Sequence, residues 1–202
     1  MFYRPADGHG LPHNPFNALI TPRPIAWVST RDSEGRENLA PYSFFNAVAY
    51  TPPQVMFTNT GAKSDREGGK DSVSIIRETG VFCINIVSRA LIDAMNASAE
   101  PLPREVDEFT HAGLERAACT SIPCSRVAAA PAALECRVTQ IVPLLGRDNS
   151  MVIGEVTGIY IDDACLIDGR FAYETFTPLG RLGYHDYAYV TEPFTLNRPG
   201  ET

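Results

Sequence analysis

The chain lacks the features of several common functional classes. No apolar run approaches the length of a transmembrane helix, and Pro5, Asp7 and the nearby glycines interrupt any signal-peptide core. Positive charge is scarce, since 17 Lys and Arg stand against 24 Asp and Glu for a formal net charge of −7. That balance argues against general affinity for nucleic acid or anionic membranes. We therefore expect a cytoplasmic protein with neither nucleic acid nor membrane as a partner.

Common phosphate and metal motifs are also missing. No GxGxxG occurs, and GGKDS at 68–72 fails as a Walker A motif because Asp71 stands where Ser or Thr is required. Glu108 and His111 form a single ExxH, whereas a dinuclear carboxylate site needs two copies. The sequence therefore predicts no metal site.

The five cysteines contain no CxxC pair. In a reducing cytosol they are interpreted as buried thiols. Cys119 and Cys124 lie close enough in CTSIPC for a redox pair, but no neighbouring residue in the sequence supports one. The sequence therefore predicts no disulfide.

The remaining composition is that of a folded protein. With 202 residues, 44% of them hydrophobic and 20% charged, the chain can build one substantial core. Residues 1–21, rich in Pro, Gly, His and Asn, are predicted to form an N-terminal arm. Residues 22–190 are predicted to form a single domain, and residues 191–202 a C-terminal tail.

Three closely spaced strands are predicted near the N-terminus, at 25–30, 38–50 and 54–58, bounded by prolines and by the DSEG turn. The second strand sets Tyr42, Phe44 and Phe45 beside Ser43 and Asn46. Aromatic rings mixed with hydroxyl and amide groups are typical of a pocket for a flat, partly polar ligand.

A polar loop follows, and a helix is predicted from Asp71 or Ser72 to Thr79, closed by Gly80. Lys63 and Lys70 in this loop allow a phosphate-binding site at the helix start, although the acidic residues Asp65, Glu67 and Asp71 favour a solvated connector on charge alone.

Further strands are predicted at 81–87, 134–145 and 151–161, the last two forming a pair dense enough in apolar residues to close a barrel. Ser88 is predicted to cap a helix, and 99–130 to form loops with short helical turns. The aromatic segment around Arg181 and His185 is interpreted as a lid, a subunit contact or both.

Several blocks occur in a familiar order: RPIAWVST, NLAPYSFFN, TPPQVMF, KDS before a helix, and PLGRLGY near the C-terminus. Together they resemble the flavin reductase-like family of FMN-binding split-barrel proteins. The resemblance implies a mainly β fold, a six-stranded Greek-key barrel with a few flanking helices. It also implies a homodimer with FMN near the dimer interface. The pyridoxamine-phosphate-oxidase type of split barrel is an alternative, but NLAPYSFFN fits the reductase group better.

The resemblance also implies which residues bind FMN. The flavin ring and ribityl chain are assigned to Ser29, Thr30, Asn38, Ala40, Pro41, Tyr42, Ser43, Phe44, Phe45 and Asn46. The phosphate is assigned to Lys63, Lys70, Asp71 and Ser72. One position departs from the family pattern, because Gly183 is followed by Tyr184 where members often have a second glycine.

The function implied is that of an NAD(P)H-dependent flavin reductase, which passes a hydride from nicotinamide to FMN and electrons onward to a small molecule or protein. His185 and Arg181 would position the nicotinamide. Two alternatives stay open: a non-catalytic, flavoredoxin-like FMN electron-transfer protein reduced by a partner, and a β-barrel binding module without flavin. The sequence does not decide between NADH and NADPH, between acceptors, or between bound and released FMN.

Overall fold

The computed structural model describes residues 1–61, 71–103 and 105–200. The strands within these residues are β1 (Ala26–Arg31), β2 (Glu37–Tyr42), β3 (Phe45–Tyr50), β4 (Pro53–Asn59), β5 (Val81–Ile86), β6 (Arg116–Ala118), β7 (Ser125–Val127), β8 (Ala132–Pro143), β9 (Ser150–Ile161), β10 (Leu166–Ile167), β11 (Arg170–Phe171), β12 (Leu179–Arg181) and β13 (Tyr187–Tyr189). The α-helices are α1 (Phe16–Leu19), α2 (Asp71–Thr79), α3 (Ile92–Ala97) and α4 (Glu108–His111), and short 3₁₀ turns cover Pro5–Asp7, Arg89–Leu91, Asp163–Cys165 and Tyr173–Thr175.

The main sheet is antiparallel and has the strand order β2-β1-β5-β8-β9-β4-β3. Its two end strands, β2 and β3, are consecutive in the chain and separated only by Ser43 and Phe44. The chain itself therefore closes the sheet into a barrel. When β2 and β3 are counted as one bent strand, the barrel has the six strands that were predicted.

The break between β2 and β3 corrects the prediction of one strand over 38–50. Tyr42 is the last β2 residue paired with β1, and Phe45 is the first β3 residue paired with β4. Between them the Phe44 carbonyl accepts a hydrogen bond from Thr58 N at 2.8 Å. The break exists because this segment leaves one partner strand and joins another, which a single straight strand cannot do.

The barrel interior is filled by one apolar cluster. Six strands and α2 contribute the side chains of Ala26, Val28, Tyr42, Val55, Phe57, Val73, Ile76, Phe82, Ile84, Cys136 and Val152. The rings of Phe57 and Phe82 meet edge to face with their centroids 5.5 Å apart. On β1, Ala26 and Val28 belong to this cluster and Trp27 does not, as the alternation of strand side chains requires.

A second apolar cluster covers the outside of β1. Trp27 is fully buried there with Leu39, Met95 and Phe109, and its indole Nε1 donates to Ser98 Oγ at 2.8 Å. Val127 of β7 also belongs to this cluster. The prediction of loops over 99–130 therefore missed β6 and β7, whose three residues each are too short to show a strand pattern.

The helix predictions are largely confirmed. Helix α2 begins at Asp71 and ends at Thr79, and Gly80 follows with a φ of 71° and donates its N–H to the Ile76 carbonyl. The predicted cap at Ser88 is wrong in detail, because its side chain makes no capping bond and a 3₁₀ turn precedes α3. Within the described residues, none of the helices is both long and apolar enough to cross a bilayer.

Candidate functional site

A cleft of about 940 Å³ opens beside the break between β2 and β3. Its walls come from the N-terminal arm, the end of β4, the region of α3, and the β12–β13 hairpin. The lining residues are Pro12, His13, Asn14, Asn17, Arg23, Ile25, Pro41, Tyr42, Ser43, Phe44, Thr58, Thr60, Met95, Ala99, Arg181, Tyr184, His185, Asp186 and Tyr187.

The strand break supplies one wall of the cleft through Pro41, Tyr42, Ser43 and Phe44. All four were predicted as ligand contacts, and the structure brings them together on one surface. Thr58 and Thr60 stand beside them because they lie two residues apart at the end of β4, where alternate residues share a face. This wall therefore combines aromatic rings with hydroxyl and backbone groups.

Two arginines line the same cleft and make it electropositive. Arg23 is buried and Arg181 half-buried. Burial lowers the pKa of Arg23, and the neighbouring charge of Arg181 lowers it further. Among the described residues, neither guanidinium forms an ion pair with a carboxylate, although Asp186 also lines the cleft. Two cations that form no ion pair within the described residues favour an anionic or electron-rich ligand.

Arg23 also joins the two ends of the chain. Its Nη1 donates to the carbonyls of Asn17 at 2.5 Å and Ile20 at 2.6 Å, and its Nη2 donates to the Leu182 carbonyl at 2.8 Å. Its Cζ lies 5.7 Å from the centroid of the Phe44 ring. The guanidinium thus fixes the arm and the C-terminal hairpin against the aromatic wall.

The β12–β13 hairpin positions the residues predicted to bind nicotinamide. Arg181 lies over the Tyr187 ring, 4.4 Å from its centroid, and donates to the Tyr184 carbonyl. Tyr184 has a φ of 56°, a conformation that glycine adopts more easily, so the hairpin keeps the backbone shape that a second glycine would favour. His185 follows it, exposed at the mouth of the cleft. The structure therefore places both predicted residues on the cleft.

Gly183 allows the arm to approach this hairpin. A Cβ atom at residue 183 would lie 2.4 Å from the Ala18 Cβ and 2.8 Å from its Cα. Only glycine permits that contact without a shift of α1.

A smaller cavity of about 240 Å³ lies next to the cleft and shares Pro41, Tyr42 and Ala99 with it. It contains three further residues predicted to contact the ligand, Asn38, Ala40 and Ser72. These three line the smaller cavity and not the cleft.

Two of them belong to a buried hydrogen-bond network. Ser72 Oγ donates to Asn38 Oδ1 at 2.6 Å, and Asn38 Nδ2 donates to Glu108 Oε1 at 2.8 Å. Glu108 Oε2 also accepts from Leu39 N at 3.3 Å. The network connects α2, β2 and α4, so these polar groups have structural partners inside the protein.

Four other predicted residues lie away from the cleft. Ser29 is fully buried, its Oγ donating to the Ser125 carbonyl at 2.6 Å and accepting from Asn85 Nδ2 at 3.1 Å. Thr30 is fully buried, and its Oγ1 has no hydrogen-bond partner among the described residues. Phe45 packs on the barrel core, while Asn46 is exposed on β3. Their assignment as FMN contacts remains a prediction.

Only part of the predicted phosphate-binding site lies within the described residues. Asp71 begins α2 and Ser72 belongs to the network above. Lys63 and Lys70 lie outside the described residues. The assignment of these two lysines to a phosphate therefore remains a prediction.

Several residues of the cleft were not predicted from the sequence, among them Arg23, Thr58 and Thr60. Arg23 stands between Pro22 and Pro24, directly before the predicted strand 25–30. Because two prolines restrict the backbone around it, this arginine could have been proposed as a site residue. The two threonines alternate at the end of a predicted strand and could have been assigned to one face. The contacts of Arg23 with residues 17 and 182 could not be predicted from the sequence, because they go to backbone carbonyls.

The fold and the cleft define a closed antiparallel β-barrel protein with a concave site of small-molecule size. Residues 18–191 match the family described as flavin reductase like domain. The chain belongs to this family, and the family prediction made from its motifs is confirmed.

Similar proteins extend over most of the chain. An uncharacterised protein of Deinococcus radiodurans is 40% identical over 191 residues, which cover 90% of this chain and 82% of that protein. Nitrilotriacetate monooxygenase component B from Bacillus cereus superposes with a TM-score of 0.82 at 31% identity, covering 90% of each chain. The 2-nitrobenzoate 2-nitroreductase NbaA of Pseudomonas fluorescens superposes with a TM-score of 0.80 at 30% identity, covering 92% of this chain and 89% of that one. The predicted split-barrel fold is confirmed.

The network around Glu108 yields a stability prediction. Replacing Glu108 with Ala removes the acceptor for the Asn38 amide and the Leu39 N–H, both buried. We expect the free energy of unfolding to fall by about 1–3 kcal/mol, the cost of leaving buried donors unpaired. Urea-induced unfolding followed by Trp27 fluorescence measures the change.

The matched control for this change is Glu100→Ala. Glu100 is largely exposed, and its ion pair with His111, 2.9 Å between Nε2 and Oε2, lies at the surface, where such pairs add little stability. Equal unfolding midpoints for the two variants would contradict a stabilising role for the buried network.

Proposed function

We propose that this protein binds FMN in the cleft and acts as an NAD(P)H-dependent flavin reductase. The observation that carries the proposal is the cleft itself, where an aromatic and hydroxyl-bearing wall at the strand break adjoins two arginines that form no ion pair within the described residues. Membership of the flavin reductase-like family supports it.

The described residues fit the chemical groups of FMN. Phe44 would flank the flat isoalloxazine ring, whereas the ring of Tyr42 is buried in the barrel core. Ser43, Thr58 and Thr60 offer hydroxyl and backbone groups for the polar edge of the flavin and the ribityl chain. Arg23 and Arg181 would attract an anionic or electron-rich part of the ligand. When bound, FMN supplies a hydride acceptor, which no side chain of this chain can supply.

The protein's own residues would orient the two reactants and control access to them. The cleft lies at the upper end of the roughly 300–1,000 Å³ range of small-molecule sites, so a second planar group fits beside the first. His185 and Arg181 on the hairpin stand where they can hold a carboxamide or a phosphate of the nucleotide. The arm residues His13 and Asn14 would cover the ring and exclude water.

The names of the similar proteins support a reductase without fixing its acceptor. One is component B of a monooxygenase and the other a nitroreductase. A small-molecule or protein acceptor is consistent with both. The alternative is a non-catalytic FMN electron-transfer protein, but space for a second ring beside the aromatic wall favours the reductase. The cytoplasmic location stays a prediction.

FMN binding is tested with Phe44→Ala. Loss of the ring removes part of the aromatic wall and the contact with the Arg23 guanidinium, so we expect the Kd for FMN to rise about tenfold, equivalent to about 1.4 kcal/mol. Quenching of FMN fluorescence during titration measures the Kd.

The control is Phe171→Ala, which removes a ring stacked on Phe176 outside the cleft. Its Kd for FMN should match that of the unaltered protein. An unaltered protein that fails to bind added FMN would refute the proposal. Equal changes of the Kd in both variants would show that Phe44 does not contact FMN.

Nicotinamide positioning is tested with His185→Ala in anaerobic stopped-flow mixing of the FMN-loaded protein with NADH or NADPH. We expect rapid loss of visible flavin absorbance in the unaltered protein. We expect a severalfold higher half-saturating nucleotide concentration in the variant, because an exposed histidine at the cleft mouth would contact the nucleotide and not the flavin. The Kd for FMN should not change.

His111→Ala is the matched control, since His111 pairs with Glu100 and does not line the cleft. Unchanged hydride transfer in the His185 variant would show that His185 does not position the nucleotide. Flavin that stays oxidised with both nucleotides would favour the electron-transfer protein.

We further propose that the protein is a homodimer that uses the outer face of β3. Val48 is 51% exposed and Tyr50 92% exposed on this strand, an apolar surface that a second copy would cover.

The homodimer is tested by light scattering. The unaltered protein should give the mass of two chains, and a variant with both Val48→Asp and Tyr50→Asp should give the mass of one. Leu196→Asp in the exposed tail is the control and should remain dimeric. A single-chain mass for the unaltered protein would refute this assembly.

A further inference from the structure

Three of the five cysteines meet at one place outside the cleft. Cys83 lies on β5, Cys119 directly follows β6, and Cys124 directly precedes β7. Cys83 and Cys124 are buried in a small apolar cluster with Ile122, and the half-buried Cys119 packs against it. One half-buried cysteine therefore stands beside two that are buried.

The β6–β7 hairpin sets Cys119 opposite Cys124. Ala118 pairs with Ser125, and the next step outward brings the two cysteines together, with Cys119 N donating to the Cys124 carbonyl at 2.9 Å. Cys124 N donates instead to the Ile122 carbonyl at 2.9 Å, so the two cysteines share one backbone bond at the end of the hairpin ladder. Directly opposed residues of an antiparallel pair have Cα atoms about 4.5–5.5 Å apart, within the range of about 4.4–6.8 Å that disulfides span.

A buried carboxylate fixes the turn between the two cysteines. Glu135 is only 3% exposed, and its two oxygens accept from Thr120 N at 2.8 Å and Ser121 N at 2.5 Å. These are the first two residues of the turn. The spacing of the thiols is therefore held by the barrel strand β8 and does not depend on the turn alone.

The surroundings favour the thiolate form of Cys119. The neighbouring thiols of Cys124 and Cys83 favour the thiolate and lower the pKa of Cys119. Arg126, whose Cζ lies 3.4 Å from the centroid of the Tyr160 ring, also lowers it, against the opposing effects of burial and Glu135. The neighbouring Cys119 and burial raise the pKa values of Cys83 and Cys124. The sulphur of the half-buried Cys119 is thus the nucleophile, while its buried neighbours keep their protons.

We propose that Cys119 and Cys124 form a peroxide-sensitive thiol pair that closes reversibly to a disulfide. The Cys119 thiolate attacks a hydroperoxide oxygen and takes up a hydroxyl group as sulfenic acid, while the O–O bond breaks and the other oxygen leaves, after protonation, as water or an alcohol. The Cys124 sulphur then displaces that hydroxyl, an S–S bond forms, and water leaves with the Cys124 proton. Two electrons pass from the thiols to the peroxide. The pair does not depend on FMN in the cleft.

The experiment treats the fully reduced protein with hydrogen peroxide, blocks remaining thiols, and maps peptides by mass spectrometry. We expect a single linkage between Cys119 and Cys124, with the mass of two hydrogens lost, and reversal by dithiothreitol. In Cys124→Ser the sulfenic acid on Cys119 should persist and be captured by dimedone. Iodoacetamide should alkylate Cys119 faster than the other cysteines, with a rate midpoint below the ordinary cysteine pKa of about 8.5.

Cys165→Ser is the matched control, because Cys165 is buried outside this cluster. It should form the Cys119–Cys124 linkage as the unaltered protein does. The proposal is overturned if the unaltered protein forms no linkage, if Cys119 pairs with Cys83 instead, or if Cys119 reacts no faster than Cys165.

Discussion

The rest of the structure depends on the two-residue break between β2 and β3. An open sheet presents unpaired N–H and C=O groups along both edges. Here the end strands are consecutive in the chain, so one segment pairs with β1 through its first half and with β4 through its second half. Closure of the barrel therefore forces a bend at Ser43 and Phe44. The bend also brings Pro41, Tyr42, Ser43 and Phe44 onto the wall of the cleft.

The sequence could predict most strands but not their faces or the bend. β1, β4, β5, β8 and β9 lie within two residues of their predicted bounds because each is a dense apolar or β-branched run between turn residues. The bend could not be predicted in this way, because no glycine or proline interrupts the segment from Tyr42 to Asn46. Ser29 shows the second difficulty. It shares the outer face of β1 with Trp27, so its hydroxyl meets β5 and β7 and not the cleft.

Part of the site could be predicted because its residues adjoin in sequence, and part could not because its residues meet only in the fold. Pro41 to Phe44 form one short segment, and the motif located them. The Ser72–Asn38–Glu108 network joins residues from three separate elements, and the single ExxH gave no indication that Glu108 was buried. Cys119 and Cys124 are close in sequence, but only the hairpin pairing and the contact with Cys83 distinguish them from ordinary buried thiols.

The N-terminal arm belongs to the cleft because Arg23 connects it to the opposite end of the chain. The bonds of this one guanidinium to the Asn17, Ile20 and Leu182 carbonyls hold α1 and the hairpin together, and the close approach of Gly183 to Ala18 completes the contact. Neither the first 3₁₀ turn nor α1 has a buried residue. The free energy that holds the arm in place therefore comes mainly from these contacts. A ligand that touches His13 and Asn14 as well as the strand wall binds only when the arm is docked. Ligand binding and arm docking are therefore thermodynamically linked, and each stabilises the other.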